Sequence, residues 1–386
     1  MIRTEVLVIG GGPAGATAAR VLSRAGVDTL LVERDFSFVK PCGGGIPSTA
    51  FQELEIPDDS VVKCVNAIRV VSPKGETLNI KLSGGSIVIV ARGDFDHVLR
   101  REAANSGARL LEAEFSCFED IGKTVTARLA LHDPEDAGGR KSLREKMNSA
   151  EKKVSQRFVS VEADYVIAAD GANSKVRSAL KIGAPHSILT LSEKIKGEDA
   201  DVCEFWFGSS HAPRCYSWVF PQKSGVSAGT GAFEPVSIRT LWQQFLARRG
   251  LRTDSSARGY RIPIWEGNLY NSGRILFAGD AAAQAMPFTF EGIYYSMKSG
   301  EMAAMAIVGG KVGDYRRMWE KRFLKRFTLM KRLWVYFLRS DYRAEKIVQV
   351  HRRPEVQSAS MALWLRKDPR KGSLLSYIHI FRRFLK

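Results

Sequence analysis

No stretch of this chain reaches about 18 uninterrupted apolar residues, which excludes a simple membrane-spanning helix. Cysteine is scarce and unpatterned: Cys42, Cys64, Cys117, Cys203 and Cys215 are odd in number and form no C-x-x-C pair. That argues against a disulfide framework and for a reducing, cytoplasmic compartment. The first apolar run begins within five residues of Met1, so no cleavable signal is read ahead of it. No internal repeat and no metal site is read. Acid is scarce in one place only. Residues 311–386 hold 21 Lys/Arg against 6 Asp/Glu, whereas the other 310 residues hold 37 against 35. The net charge of +17 therefore belongs to a C-terminal region and not to the body.

What is present begins at once. Val6-Leu7-Val8-Ile9 reads as a strand buried on both faces, followed by Gly10, Gly12 and Gly15 in G-x-G-x-x-G spacing and an Ala-rich helix from Ala14 to Leu22. Gly10 permits the tight turn, Gly12 admits backbone to a pyrophosphate, and Gly15 lets helix pack closely on strand. The helix start offers unpaired N–H groups and a positive dipole end to phosphates. A second apolar run, Thr29 to Val32, ends in Glu33, 18 residues after Gly15, where a carboxylate can accept hydrogen bonds from ribose hydroxyls. Together these predict a dinucleotide site, with NAD and FAD both open.

Two later stretches bear on that choice. Tyr165 to Ala169 is an apolar strand ending in Asp170-Gly171, and Gly273 to Ala278 empties into Gly279-Asp280. Each puts an acid at the carboxyl end of a strand, where ligands of open α/β sheets gather. Acids in this order suit an extended ligand with two sugar-like portions, as FAD has. No second strand–GxGxxG–helix unit is present, so no dedicated NADPH domain is read. Asp94 is a plausible N-cap for a helix after Arg92, and helix-like sequence runs from about 236 to 250 and again from about 292. Residues 133–157 read as an exposed polar insertion between two strands. Residues 200–232 alternate apolar and polar as in an antiparallel sheet. In that stretch Tyr216, Trp218 and Phe220 stand at period 2 and point the same way.

On these residues the sequence resembles the flavoprotein group that includes para-hydroxybenzoate hydroxylase and, within it, the geranylgeranyl reductase family. The general signals are Gly10-Gly12-Gly15 with Glu33, Arg92, Asp170-Gly171 and Gly279-Asp280. The family-specific ones are Lys40-Pro41-Cys42-Gly43-Gly44-Gly45, then Tyr216-Ser217-Trp218-Val219-Phe220-Pro221, then Pro287 to Ile293. The likeness runs from about residue 3 to about 310. It implies tightly held FAD and reduction of isolated double bonds in isoprenoid lipids; substrate types in the family include archaeal ether lipids, the chlorophyll side chain and quinone tails. One departure stands out: the family's third motif usually reads Pro-x-Thr/Ser-Gly-Glu-Gly-Ile, and Phe290 occupies the place of its first glycine.

The resemblance implies a Rossmann-like FAD-binding α/β domain (about 1–75, 91–180 and 270–310) interleaved with an antiparallel-sheet substrate domain (about 76–90 and 181–269), and residues 311–386 form a basic helical appendage. Cofactor contacts are expected from Gly10, Gly12, Ala14, Gly15, Glu33, Arg34, Cys42, Gly43, Gly45, Arg92, Asp170, Gly279, Asp280, Gly292 and Ile293. Asp280 is expected on the ribityl hydroxyls, and the helix opening at Gly292 and Ile293 at the flavin's pyrimidine edge. The three glycines after Cys42 let backbone lie against a ring system. Cys42 is a candidate proton donor or a packing residue, and Tyr216 and Trp218 are candidates for an aromatic wall along a prenyl tunnel. His211 and Glu291 lie near these motifs with no evident neighbour. An external reductant is expected, with NADPH and a ferredoxin-like carrier both open. The cations of 311–386, interleaved with Phe, Leu and Trp at helical spacing, suit a peripheral membrane surface or a helix packed on the body. No base-reading motif accompanies them, and no nucleic acid is expected. A monooxygenase or halogenase of the same fold, or a flavoprotein that carries a lipid without turnover, are the competing readings.

Overall fold

The structure, a computed structural model, describes residues 1–131, 157–233, 237–253, 256–365, 367, 379 and 381. The polar insertion at 133–157, apart from Arg157, and most of the stretch after 367 lie outside them.

Apolar β-branched runs make the first sheet. Its seven strands follow the order Ile2–Ile9, Thr29–Glu33, Arg109–Ile121, Val125–Leu131, Phe158–Ala168, Ile275–Phe277, Asn271–Ser272, and Ile2–Ile9 also pairs with Phe158–Ala168. Ile2–Ile9, Thr29–Glu33, Phe158–Ala168 and Ile275–Phe277 run parallel to one another, whereas Val125–Leu131 and Asn271–Ser272 pair antiparallel with their neighbours. Their carboxyl ends therefore share one edge: Glu33 is the last residue of its strand, and Gly10, Asp170 and Gly279-Asp280 follow the ends of the others. Val6, Leu7 and Val8 are fully buried, as strands covered on both faces must be. The helices Pro13–Arg24 and Ile293–Val308 pack together through glycine: a Cβ at Gly300 would stand 2.0 Å from the Ala14 carbonyl oxygen.

The second seven-stranded sheet has the order Arg258–Pro263, Ser187–Lys196, Gly225–Ala232, Ser217–Gln222, Cys203–Trp206, Ala67–Val71, Thr77–Lys81. It draws in Ala67–Val71, ahead of the segment expected for it. Ile87–Val90 instead joins Gly45–Pro47 and Val61–Val65 in a small third sheet. The helix Arg92–Asn105 is capped by Ala91 in extended backbone, not by Asp94, which lies in its first turn.

The C-terminal region is part of the body. Helical backbone runs from Asp314 to Phe337, with a π turn at Glu320–Leu324, and continues as Asp341–Val350 and Pro354–Leu365. Trp319, Phe323 and Phe327 are wholly buried in the same core as Val6, Tyr294 and Tyr295. No helix among the described residues is long and apolar enough to cross a membrane.

Candidate functional site

A cavity of about 330 Å³ opens along the shared strand edge and continues onto the second sheet. Every expected cofactor contact except Gly15 and Gly279 lines it, as do Tyr216, Trp218 and Phe220. Those two glycines act behind the wall. A Cβ at Gly15 would stand 1.8 Å from the Gly10 carbonyl oxygen, so the helix sits on the turn only as glycine. Gly279 has φ +63°, and a Cβ there would meet Ser296 and Ala14 at 2.9 and 3.0 Å. Gly10 (φ +107°) is pressed against the end of the Phe158–Ala168 strand, with a Cβ site 2.3 Å from the Ala169 carbonyl oxygen. A Cβ at Gly12 would meet nothing within 4 Å, which leaves its face open to a ligand.

The acids are held in place. Glu33 accepts from the Gly11 N–H at 2.7 Å, tying the strand end to the glycine turn. Asp170 accepts from the Val176 N–H at 3.1 Å through Oδ2, while its buried Oδ1 has no partner. Burial pushes the Asp170 carboxyl up against the hydrogen bonds that hold it down. Asp280 is engaged by Lys40, Nζ to Oδ2 at 2.5 Å, and Lys40 also stands 4.3 Å from the centroid of Tyr260. Burial disfavours the Lys40 ammonium, but Asp280 outweighs it and the group is raised. The Asp280 Oδ1 lies 3.7 Å from where a Gly292 Cβ would stand, so this acid faces the start of Ile293–Val308. Lys40 was visible in the sequence as part of its motif, yet nothing in the spacing indicated that it reaches Asp280.

Cys42 sits at the turn between these groups. Its Sγ accepts from the Gly44 N–H at 3.1 Å and from Arg92 Nη1 at 3.4 Å. Arg92 also binds both oxygens of Asp96, at 3.0 and 2.9 Å, and its buried Nε has no partner. The expected contact of Arg92 with a cofactor is thus open at one nitrogen, while the rest of the guanidinium braces the Cys42 turn. The glycines after Cys42 have their own packing reason. The ring lying on Gly43 and Gly45 is Phe220, whose nearest atoms would be 2.6 and 3.0 Å from a Cβ at either position. Gly44 (φ +77°) approaches the Val90 carbonyl oxygen.

The aromatic wall is continuous. Phe205 stands edge-on to Tyr216 and Phe220, each 5.3 Å away between ring centroids, and to Trp364 at 5.8 Å. Trp218 lies over Gly229, and its buried Nε1 has no partner. Tyr216 donates to the Thr289 carbonyl oxygen, and burial raises its phenol. Behind this wall is a second, apolar chamber of about 140 Å³, which shares Phe205, Tyr216, Thr289, Glu291 and Trp364 with the first. Glu291 has found a neighbour: Lys367, beyond the helix Pro354–Leu365, binds its Oε2, while Oε1 is buried without a partner. Sequence reading gave no signal for Lys367 or Trp364. His211 lines neither cavity; it is a fully buried core residue bound to Ser217 at 2.8 Å.

A flavin dinucleotide fits these residues. The cavity is long, its glycine turn is open at Gly12, and unpartnered polar atoms of Asp170 and Arg92 stand among its lining residues. The comparisons agree. Residues 3–305 match the family described as FAD binding domain. The chain is 30% identical to a geranylgeranyl diphosphate reductase of Rhodobacter capsulatus, covering 98% of this chain and 96% of that one. It is 30% identical to a digeranylgeranylglycerophospholipid reductase of Methanosarcina acetivorans over 78% of this chain and 74% of that protein. A crystal structure of a geranylgeranyl bacteriochlorophyll reductase-like protein from Thermoplasma acidophilum shares the fold, with a TM-score of 0.79 and 21% identity over 100% of this chain and 99% of that one. Alignment with reductases through nearly the full length, on a fold whose acids meet at one sheet edge, identifies this chain as an FAD-dependent oxidoreductase and a member of the geranylgeranyl reductase family.

Proposed function

We propose that this protein reduces isolated carbon–carbon double bonds in a polyprenyl lipid. The observation that carries the reading is the continuity of one cavity from the glycine turn and its acids to an aromatic wall, with an apolar chamber directly behind. Bound FAD, once reduced, supplies the hydride for one alkene carbon, and a proton completes the neighbouring carbon. Gly10, Gly12, Ala14, Glu33 and Arg34 would hold the adenosine and phosphate portions; Arg92, Asp170, Asp280, Gly292 and Ile293 would hold the ribityl and ring portions. The start of Ile293–Val308 favours negative charge by about 0.3–1 kcal/mol. Tyr216, Trp218 and Phe220 orient the chain and exclude water. The Cys42 Sγ, between Arg92 and Gly44, is the lining group proposed to hold a proton.

The electron donor is proposed to be external, either NADPH or a ferredoxin-like carrier. The exposed cations of the C-terminal helices are proposed to hold the protein at an anionic membrane from which its lipid comes. The test is anaerobic: the flavin of the purified protein is reduced, the donor removed and a polyprenyl lipid added. The flavin absorbance should return as a saturated bond appears by mass spectrometry. Reoxidation only by oxygen, with substrate-stimulated NADPH consumption, would put the protein with hydroxylating flavoproteins instead.

A further inference from the structure

The loop 288–291 completes the wall between the two cavities beside Phe205, Tyr216 and Trp364, and its backbone is unusual. Phe288 (φ +75°) and Phe290 (φ +50°) both adopt the left-handed conformation that bulky side chains avoid. Phe288 lines the apolar chamber and Phe290 lines the flavin-side cavity, while Thr289 and Glu291 line both. Buried polar atoms of this partition, Thr289 Oγ1 and Glu291 Oε1, have no partner. Strained residues of this kind persist only where their surroundings over-determine them. The Phe290 ring is fixed from two sides, 5.8 Å from Tyr216 and 5.7 Å from Trp334 between centroids. Tyr216 in turn donates to the Thr289 carbonyl, so the ring, the tyrosine and the loop brace one another.

Resting on the prenyl-lipid reading above, we propose that Phe290 is a specificity-determining residue: its ring keeps the flavin-side cavity separate from the apolar chamber and so limits how long a prenyl chain can be seated beside the flavin. A glycine at 290 would remove the ring and the strain together and join the two spaces. The chain end of a long lipid would then reach the surface formed by Met330, Ile347, Val348 and Leu363. A short chain, seated wholly on the flavin side, would gain nothing.

The test uses the FAD-loaded protein and fully saturated isoprenoid alcohols of ten and twenty carbons, which bind without turnover. Binding is measured by calorimetry for the native protein, Phe290→Gly and Phe290→Ala. Each extra buried methylene is worth roughly fourfold in affinity, so burying two or more should tighten the long alcohol by about fifteenfold or more. The short alcohol should stay within about twofold. Phe290→Ala opens the same space but retains the strained backbone, so the same change there attributes the effect to space and not to strain. If both alcohols shift together, or neither shifts, the partition role is wrong although lipid reduction stands. If neither alcohol binds to any of the three proteins, the prenyl reading falls and the partition with it. Thermal unfolding and flavin content report the fold independently: Phe290→Gly should unfold cooperatively with its flavin retained, at a midpoint below the native one because relief of strain only partly offsets the lost ring contacts.

Discussion

At the scale of single residues, the sequence displayed types and spacings but not partners. Glycine after Cys42 was conspicuous, yet that Phe220 is the ring resting on it depends on two sheets meeting, which no local pattern encodes. His211 illustrates the opposite case, a titratable residue beside the motifs that belongs to the core. Its Nδ1 is bonded to Ser217, whose hydroxyl donates to Thr230 at 2.8 Å. Burial, with Arg248 adding to it, depresses the imidazole to about 4. The unfolded chain takes up that proton near pH 6.5. Between pH 6.5 and about 4 the unfolded state therefore binds more protons than the folded one. Stability is unaffected by this group above that window and falls as the pH drops through it, by up to about 3 kcal/mol. Urea unfolding at pH 7.5 and pH 5 should show a smaller acid loss for His211→Asn than for the native protein, by on the order of 2 kcal/mol. Equal losses would mean that His211 does not contribute to acid sensitivity.

At the scale of elements, the parallel strands and the helices that follow them were legible because continuous apolar runs, glycine turns and terminal acids occur in register. The fastening of the last helix was not. Pro354–Leu365 is pinned at its end by two links from far upstream: Thr49 Oγ1 donates to the Leu365 carbonyl at 2.6 Å, and Lys367 pairs with Glu291. The Lys367 and Glu291 side chains are only 2% and 8% exposed, so neither charge can be left alone without a large desolvation cost. Lys367→Met should lose about 3–5 kcal/mol of stability because the Glu291 carboxylate remains buried without its cation. The double variant Lys367→Met with Glu291→Gln should recover much of that loss, since two neutral groups need no counter-charge. Denaturant unfolding of the native protein, the single variant and the double variant gives the comparison. A double variant no more stable than Lys367→Met would mean that the pair acts only through packing.

At the scale of the whole molecule, the C-terminal region is where composition was least decisive. Cations interleaved with Phe, Leu and Trp at helical spacing describe a helix lying on lipid and a helix packed on a protein core equally well. Here the core has taken the apolar side, since Phe323, Phe327, Leu333, Trp334 and Phe337 are all buried. Removal of residues 311–386 would strip aromatic groups from the central core and unfold the protein, so it cannot report on membrane attachment. What remains free is charge. Lys321, Lys325, Arg332 and Arg339 are exposed along the solvent side of the run from Glu320 to Phe337 and just past its end. Near an anionic surface each cation contributes on the order of 1 kcal/mol, and the attraction fades within a Debye length of about 8 Å at physiological salt. Reversing all four to Glu should therefore abolish co-sedimentation with vesicles containing phosphatidylserine, while thermal midpoint and flavin content stay unchanged because no packed side chain is touched. Raised salt should release the native protein from the same vesicles. Binding that survives both the reversal and the salt would show that apolar contact, made elsewhere on the molecule, holds it to lipid.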